Sequence, residues 1–281
     1  MSRQSSPVGP VLAGIVVIAA VAAGVFIWRK AVQPPPAAPP SAATSSAPAA
    51  AATAAPAVRH PIEQAGTGPA AASSAPLPAL DNSDAGVSEA LAALAGGGDL
   101  RALLRPDQLI RRIVATVDAL PRQSLGSTSI LPLRTPRGAF ATRPAGDGLA
   151  VGDNTARYAP YMRIVEGADP KAVAAWYVRF YPLFQQAYRD LGYPKAYFND
   201  RLVAAIDDML AAPEPHAPLA LARPKVLYEF ADPGLQSLSV GQKLMLRLGP
   251  ADEAKLKAKL RAIRAALTGA TLPPAPAGSA G

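Results

Sequence analysis

Residues 169–190 read DPKAVAAWYVRFYPLFQQAYRD, and no other stretch of the chain is as informative about the fold. Asp169 and Pro170 form a typical helix start, because aspartate can accept hydrogen bonds from the first free N–H groups and proline fits the first turn. Large apolar side chains then recur at helical spacing: Val173, Trp176, Phe180 and Phe184. The pattern predicts a long amphipathic helix that contributes one face to the core of a helical domain.

The same predicted helix has a second row of side chains, which are tyrosines: Tyr177, Tyr181 and Tyr188. A phenol hydroxyl needs a hydrogen-bond partner when it is buried, and the ring can stack on a ligand when it is exposed. The row therefore either packs at the rim of the core or forms a binding surface, and the sequence leaves both alternatives open. Pro182 lacks a backbone N–H within this helix and predicts a kink.

The sequence on both sides of this helix predicts a globular domain over residues 78–267. Helix starts are indicated at Ser83 or Asp84, Asp99, Pro106, Asp153 or Asn154, Lys195, Ser239 and Pro250. Ser239 and Gln242 have the spacing of a capping box. Strand signals are few: a possible short strand at 138–142, and KVLYEF at 225–230, whose alternate residues are Val, Tyr and Phe. We therefore predict a mainly α, multi-helix domain with one or two short β-strands.

The stretch 121–152, between two predicted helices, is rich in proline and glycine and has few apolar residues at regular spacing. A loop of this length is uncommon inside a compact domain. It is either a flap over a surface or a mobile loop, and the sequence does not decide between the two.

The N-terminal region has the features of a membrane anchor. No charged residue lies between Arg3 and Arg29, and the apolar run VLAGIVVIAAVAAGVFIW at 11–28 is about 27 Å long as a helix, which is just enough to span a bilayer. We predict a transmembrane helix; a cleaved signal peptide and a buried globular helix are the alternatives. Ala20 and Gly24 could let two such helices approach closely, but an alanine-rich span contains such pairs by chance, so dimerisation is unsupported.

Residues 29–77 are predicted to be a disordered, Pro/Ala-rich linker, because Arg59 and Glu63 are its only charges beyond the basic pair next to the apolar run. A short tail at 1–10, one span, a long spacer and a C-terminal domain are typical of bacterial envelope proteins. We therefore predict a single-pass protein of the inner membrane with a periplasmic C-terminal domain. The charges flanking the span are nearly balanced, so a cytoplasmic domain is the alternative. A disordered tail is predicted at 268–281.

Composition excludes several classes of chemistry. The chain has no cysteine, so disulfides, thiolate metal sites, iron–sulfur clusters and a cysteine nucleophile are ruled out, and it has only two histidines. The net charge is +8, but three of these charges lie in the anchor and linker, so the domain itself is mildly basic. We assign no catalytic, cofactor-binding or metal-binding residues, and we expect no cofactor and no nucleic-acid partner.

Three separated motifs resemble a known family: Arg157 with Tyr158, PLFQQAYRDLGYP at 182–194, and the stretch 224–250 that contains VLYEF and LSVGQKLMLRLGP. Together they are similar to the uncharacterised proteobacterial family of unknown function numbered 3014. The resemblance covers most of residues 78–267 and implies an anchored envelope protein. It supplies no reaction, substrate or catalytic residue. The family commonly has an acidic residue where Gln236 stands, so we give that position no role.

Three functions are compatible with these features. The first is a non-enzymatic binding or scaffolding module for a periplasmic protein or glycan, with a candidate surface of seven residues: Arg157, Tyr158, Tyr177, Tyr181, Tyr188, Gln242 and Lys243. The second is a carboxylate-based cell-wall hydrolase that uses Glu229 with Asp200 or Asp232. The third is a cytoplasm-facing module that binds nucleic acid or lipid through the last helix. Otherwise we expect the basic residues of that helix on a solvated outer face: Lys255, Lys257, Lys259, Arg261 and Arg264. Whether the protein is an enzyme stays open, and we favour the first function.

Overall fold

The structure is a computed structural model that describes residues 58–65, 76–94, 98–224 and 227–269. Nine α-helices are present in these residues: α1 (Asp84–Leu94), α2 (Gly98–Leu103), α3 (Leu109–Ala119), α4 (Thr155–Gly167), α5 (Pro170–Asp190), α6 (Phe198–Leu210), α7 (Pro233–Gln236), α8 (Val240–Leu248) and α9 (Pro250–Thr268). Four short strands form one sheet: β1 (Thr142–Ala145), β2 (Gly148–Val151), β3 (Ala220–Ala222) and β4 (Glu229–Phe230). The domain is therefore mainly helical with a small antiparallel sheet.

Helix α5 lies at the centre of the domain and begins where the sequence predicts. The Asp169 carboxylate accepts hydrogen bonds from the backbone N–H groups of Lys171 and Ala172 at 2.7 and 3.0 Å. The four apolar side chains at helical spacing are all buried. Phe184 stacks on Phe198 of α6, with ring centres 5.6 Å apart. Because α3 and α9 also pack against α5, this helix organises the main core.

The start of α3 is set by a residue from another helix. The sequence predicts a start at Pro106, but the helix begins at Leu109. The Asp84 carboxylate at the start of α1 accepts hydrogen bonds from the backbone N–H groups of Gln108 and Leu109 at 2.6 and 2.8 Å. Gln108 adopts a left-handed backbone conformation, with φ of 52°. Asp84 thus caps α3 from a distance in the chain, which a local sequence pattern does not reveal.

The strands form an antiparallel sheet in the order β1-β2-β3-β4, which is more sheet than the one or two strands predicted. β1 and β2 form a hairpin within 121–152, where the sequence predicts a loop. The strand predicted at 138–142 lies further along, at Thr142–Ala145. The strand predicted at 225–230, whose first two residues lie outside the described part, is limited to Glu229–Phe230. Strands of two to four residues are too short to show a clear alternation.

Residues 58–65, which we term the docked segment, pack against the domain although the sequence assigns them to the linker. Asp200 accepts hydrogen bonds from the backbone N–H groups of Arg59 and His60 at 3.1 and 2.7 Å. The side-chain amide of Asn199 donates to the His60 carbonyl at 2.9 Å. The start of α6 therefore holds this part of the chain, and the structure assigns it to the domain.

The predicted transmembrane helix at 11–28, the tail at 1–10 and most of the linker lie outside the described residues, as does the chain from residue 270 onward. Among the residues that the structure describes, no helix is both long enough and apolar enough to cross a membrane. The membrane anchor stays a prediction from the sequence.

Candidate functional site

The tyrosine row of α5 is buried and does not form a surface. Tyr177 and Tyr188 are 0% and 4% exposed, and Tyr181 is half-buried. Phe198 of α6 contacts both Tyr177 and Tyr188, and Tyr188 also stacks on Tyr193 at 4.6 Å. Burial raises the pKa of Tyr181 and of Tyr188 to about 12. Of the two alternatives for this row, packing in the core is observed, because α6 covers the face on which the tyrosines lie.

Gln242 has a structural role in the first turn of α8. Its backbone N–H donates to Ser239 Oγ at 3.0 Å, and its side-chain oxygen accepts from the Ser239 N–H at 3.4 Å, so the predicted capping box is confirmed. The Gln242 amide also donates to the Asp208 carbonyl at 3.1 Å. Ser239 Oγ donates to the Asp208 carboxylate at 2.6 Å. These bonds join α8 to α6.

Tyr158 of α4 lies near Arg247 of α8, and Arg247 lies one turn after Lys243. The charge of Arg247 acts on both Lys243 and Tyr158. Arg247 is not among the site residues predicted from the sequence, although an arginine in the apolar run LMLRL, four residues after a lysine, is a detectable signal. We term Arg157, Tyr158, Lys243 and Arg247 the basic cluster.

The two cations of α8 are buried without an acidic partner. Lys243 and Arg247 are each 8% exposed, and no carboxylate oxygen of the described residues lies within 4.0 Å of either charged group. Lys243 Nζ donates to the carbonyl oxygens of Gln123 and Gln236, both at 3.1 Å. The Arg247 guanidinium lies 4.7 Å from the centre of the Phe230 ring and donates to the Lys243 carbonyl at 3.4 Å.

Burial without a counter-charge lowers both pKa values. Burial and the charge of Arg247 lower the pKa of Lys243, and burial lowers the pKa of Arg247 to about 10. Glu229 is half-buried and its negative charge opposes these shifts, but it forms no ion pair with either residue. Since nearby negative charge or water stabilises a cation, the lowered pKa values indicate that this cluster has too little of either.

The α4 side of the basic cluster has hydrogen-bonding capacity that the described residues do not use. Tyr158 is 0% exposed, and its hydroxyl lies beside the Arg157 guanidinium without a well-formed hydrogen bond to any of them. Arg157 Nη1 donates to the carbonyl oxygens of Arg137, at 3.0 Å, and Gly138, but the buried Arg157 Nε–H has no such partner. Burial raises the pKa of Tyr158, and the charges of Arg157 and Arg247 oppose the shift. Two buried polar atoms on this side therefore lack well-formed hydrogen bonds within the described residues.

A cavity of about 510 Å³ lies between the sheet, the loop after α6 and the junction of α8 with α9. Its apolar lining includes Val151, Pro215, Pro218, Leu219, Leu246 and Pro250. Four ionisable side chains also line it: Arg143, Glu214, His216 and Glu253. A cavity of this size with an apolar wall and a few charged groups is typical of a small-ligand site.

A buried lysine holds two acids of the cavity. Lys257 is 3% exposed, and its Nζ lies 2.6 Å from Glu214 Oε1 and 2.9 Å from Glu253 Oε1. The same amine donates to the Ala212 carbonyl at 2.8 Å. Its hydrogen bond lowers the pKa of Glu214, whereas burial raises the pKa of Glu253. The predicted solvated position of Lys257 is therefore wrong, because this side of α9 faces the loop after α6.

Other basic residues of α9 have partners on neighbouring helices. Lys255 pairs with Glu166 at 2.6 Å, and Arg264 pairs with Asp207 at 2.5 Å. Lys259 donates to a backbone carbonyl at the carboxyl end of α4. These side chains join α9 to α4 and α6, so they do not form a free basic face of the kind that nucleic acid or lipid requires.

The three acids considered for a hydrolase are not gathered in the cavity. Asp200 holds the docked segment, and Asp232 caps α7 by accepting a hydrogen bond from the Gly234 N–H at 2.7 Å. Glu229 lies near the basic cluster, and none of the three lines the cavity. Among the described residues, no group of three or more His, Asp or Glu side chains could hold a metal ion.

The fold, the basic cluster and the cavity define a mainly helical domain with candidate binding sites beside a small sheet. A family model described as a protein of unknown function (DUF3014) matches residues 109–264, more than half of the chain. The chain therefore belongs to this family, and the resemblance predicted from its motifs is confirmed. The matched range includes the basic cluster and the cavity. Comparisons with curated proteins and with solved structures find no match.

Proposed function

We propose that this protein is a membrane-anchored binding or scaffolding module of the bacterial envelope, without enzymatic activity. In this proposal the charge-free run at 11–28 holds it in the inner membrane, and the Pro/Ala-rich linker separates a periplasmic domain from that membrane. The cavity is the observation that supports a binding function best. It is large enough for a small ligand or for a segment of a larger partner.

The chemistry of the cavity suits a ligand rich in hydroxyl or amide groups. Glu214 and Glu253 offer hydrogen-bond acceptors, and Arg143 offers donors. Lys257 contacts both glutamates, so it fixes the acceptors in place and offsets their charge. Proline and aliphatic side chains provide the apolar part of the wall. A glycan or a peptide segment of a periplasmic protein has the groups that such a site can bind.

The orientation of the domain can be tested because the chain has no cysteine. A single Ser46→Cys substitution in the linker introduces a unique thiol, which a membrane-impermeant maleimide should label in intact cells if the linker is periplasmic. The wild-type protein is the control and should stay unlabelled. Labelling that occurs only after lysis would place the linker in the cytoplasm and contradict the periplasmic proposal.

Binding in the cavity can be tested by crosslinking in cells. A photoreactive residue at Ala217, an exposed residue of the cavity wall, should form a crosslinked product with the ligand or partner. The same residue at Ala102 of α2, which is exposed and does not line the cavity, is the control. Filling the cavity with Ala254→Trp should remove the product. A product that persists in this variant, or forms equally at Ala102, excludes the cavity as the binding site.

A further inference from the structure

An arginine-rich surface lies where the end of α2 meets the chain at 132–137. A short antiparallel bridge between Leu104 and Leu133 joins the two stretches, and both leucines are buried. The backbone N–H groups of Arg105 and Arg134 each donate across this bridge at 2.8 Å. Since side chains alternate between the two faces of such a pair, the arginines lie on the outer face. They are diagonal neighbours across the bridge, so their Cβ atoms are roughly 7–8 Å apart.

Two more arginines extend this surface, and α4 fixes its backbone. Arg101 is exposed on the last turn of α2, and Arg137 is exposed three residues after Arg134. The Tyr161 hydroxyl donates to the Arg134 carbonyl at 2.9 Å, and Arg157 Nη1 donates to the Arg137 carbonyl at 3.0 Å. Because these two donors lie one turn apart on α4, they hold the stretch in place. We term four residues the arginine patch: Arg101, Arg105, Arg134 and Arg137.

The arginine patch has no acidic partner. None of its four guanidinium groups forms a hydrogen bond or an ion pair within 4.0 Å in the part of the chain that the structure describes. Nearby acidic side chains of α3 and of the turn before it are paired elsewhere. Asp107 pairs with Arg112, and the buried Asp118 pairs with Arg201 at 3.0 Å. The patch therefore carries four positive charges at the surface that the described residues do not compensate.

The form of the arginine patch favours an extended anionic surface over a single bound anion. Its residues lie along two stretches of surface backbone, and none of them lines the cavity. A guanidinium binds phosphate oxygens through its planar N–H fork. A bilayer presents many phosphates in one plane, so it can pair with arginines that do not converge on one point. Clusters of about four to eight basic residues near a membrane are typical of binding to anionic lipid.

We propose that the arginine patch docks the domain on anionic phospholipid headgroups of the membrane in which the chain is anchored. This inference rests on the proposed anchor at 11–28, because the anchor keeps the domain close to a bilayer. The predicted spacer at 29–57 has an average end-to-end distance of about 30 Å as a flexible chain. The membrane is therefore the anionic partner with the highest local concentration. Each arginine near an anionic surface should strengthen docking about fivefold.

Energy transfer in lipid nanodiscs tests the docking with the full-length protein. Because the chain has no cysteine, Ala139→Cys introduces a unique thiol at an exposed residue two positions after Arg137. A donor dye on this thiol and acceptor dyes on the lipid headgroups, at equal density in all samples, report how close the domain is to the bilayer. We expect stronger transfer with about one third phosphatidylglycerol than with phosphatidylcholine alone. The difference should disappear as sodium chloride rises from about 0.05 M to about 0.5 M.

Two matched double variants separate the arginine patch from the net charge of the domain. Arg105→Gln with Arg134→Gln should lower the ratio of docked to undocked domains about 25-fold in anionic nanodiscs, at about fivefold per arginine. Arg189→Gln with Arg261→Gln removes the same charge from exposed positions of α5 and α9, and should leave the ratio close to that of the wild type. Since the patch guanidinium groups have no described partner to lose, the patch variant should melt at the wild-type temperature.

Failure of the docking and failure of the anchor give different results. A chain that does not insert into nanodiscs contradicts the anchor at 11–28, and flotation of the same full-length protein with phosphatidylglycerol vesicles then decides the docking. For an inserted chain, equal transfer in anionic and neutral nanodiscs overturns the docking proposal and favours a soluble acidic partner for the patch. Equal transfer, or equal flotation, of the two double variants also overturns it, because binding would then depend only on net charge.

Discussion

Lys243 and Lys257 are both buried lysines on consecutive helices, yet their surroundings are opposite in charge. Lys257 on α9 lies between two glutamates, whose hydrogen bonds outweigh burial and raise its pKa. Lys243 on α8 has two carbonyl partners and a neighbouring arginine, and burial lowers its pKa. The difference shows that burial alone does not assign a role to a charge. Lys257 has the negative partners of a structural ion cluster, and Lys243 lacks them.

The largest difference between the two lysines is expected in stability. Lys257→Met leaves Glu253 buried without its cation, so we expect the free energy of unfolding to fall by about 3–5 kcal/mol. Lys243→Met removes hydrogen bonds but also relieves an unpaired buried charge, so we expect a loss below about 1.5 kcal/mol. Urea unfolding of the full-length variants measures both values, with Lys195→Met, at an exposed position, as a control. Equal losses for Lys243→Met and Lys257→Met would contradict the distinction between paired and unpaired charges.

A second paired cluster should behave as the Lys257 cluster does, with a smaller effect. Asp118 is 5% exposed, and it contacts Arg201 at 3.0 Å and also Arg122. Arg201→Met removes one of the two cations, so we expect a loss of about 2–3 kcal/mol in the free energy of unfolding, since Arg122 still compensates in part. Urea unfolding is the measurement, and Arg189→Met, at an exposed position of α5, is the control. No loss in the Arg201 variant would show that Asp118 does not depend on its buried partner.

Asp200, which binds the docked segment, is a carboxylate whose partners there are backbone N–H groups and not a cation. Asp200→Ala removes both hydrogen bonds to Arg59 and His60, so we expect a local loss of about 1–2 kcal/mol in docking. Hydrogen exchange should show faster exchange of these two N–H groups while the core stays protected. Asp232→Ala, which affects the cap of α7, should leave the exchange of the docked segment unchanged. Unaltered protection in the Asp200 variant would mean that other contacts hold the segment.

The smallest expected effect is in the alkaline pH dependence of stability. The folded-state pKa of Lys257 lies above the unfolded value of 10.5, so its contribution is complete below 10.5 and is lost as the pH rises through the folded pKa. The folded-state pKa of Lys243 lies below 10.5, so its cost is complete at lower pH and is relieved as the pH rises through that pKa. In urea unfolding, the difference between wild type and Lys243→Met should therefore rise as the pH approaches 10.5, and the difference between wild type and Lys257→Met should fall as the pH passes above 10.5. Slopes of the same sign would refute the opposite pKa shifts.

The helical part of the fold is predictable from the sequence because its signals are local. The start of α5, its apolar row and the capping box of α8 all depend on residues within a few positions of one another. The strands and the start of α3 are not predictable in this way. The strands are too short to show a period, and α3 is capped by Asp84, which lies more than 20 residues before it.

The candidate sites are also only partly predictable from local sequence signals. Arg157, Tyr158 and Lys243 are identifiable in the sequence as polar residues of the family motifs, but the nearness of Tyr158 to Arg247 depends on how α4 packs near α8. The tyrosines of α5 have the spacing of a surface row, yet α6 covers them. Helical spacing shows which side chains share a face, and it does not show whether another helix lies on that face.

The sequence by itself determined the helical class of the domain, its family and the separation of an apolar N-terminal run from a Pro/Ala-rich linker, because these follow from periodicity, motifs and composition. The tertiary structure decided which charges are paired. Lys243 and Lys257 are equally basic residues on amphipathic helices in the sequence, and only the packing of α8 and α9 gives one of them two glutamates and leaves the other without an acid. Electrostatic energy depends on distances between residues that are remote in the chain, and only the folded arrangement sets those distances.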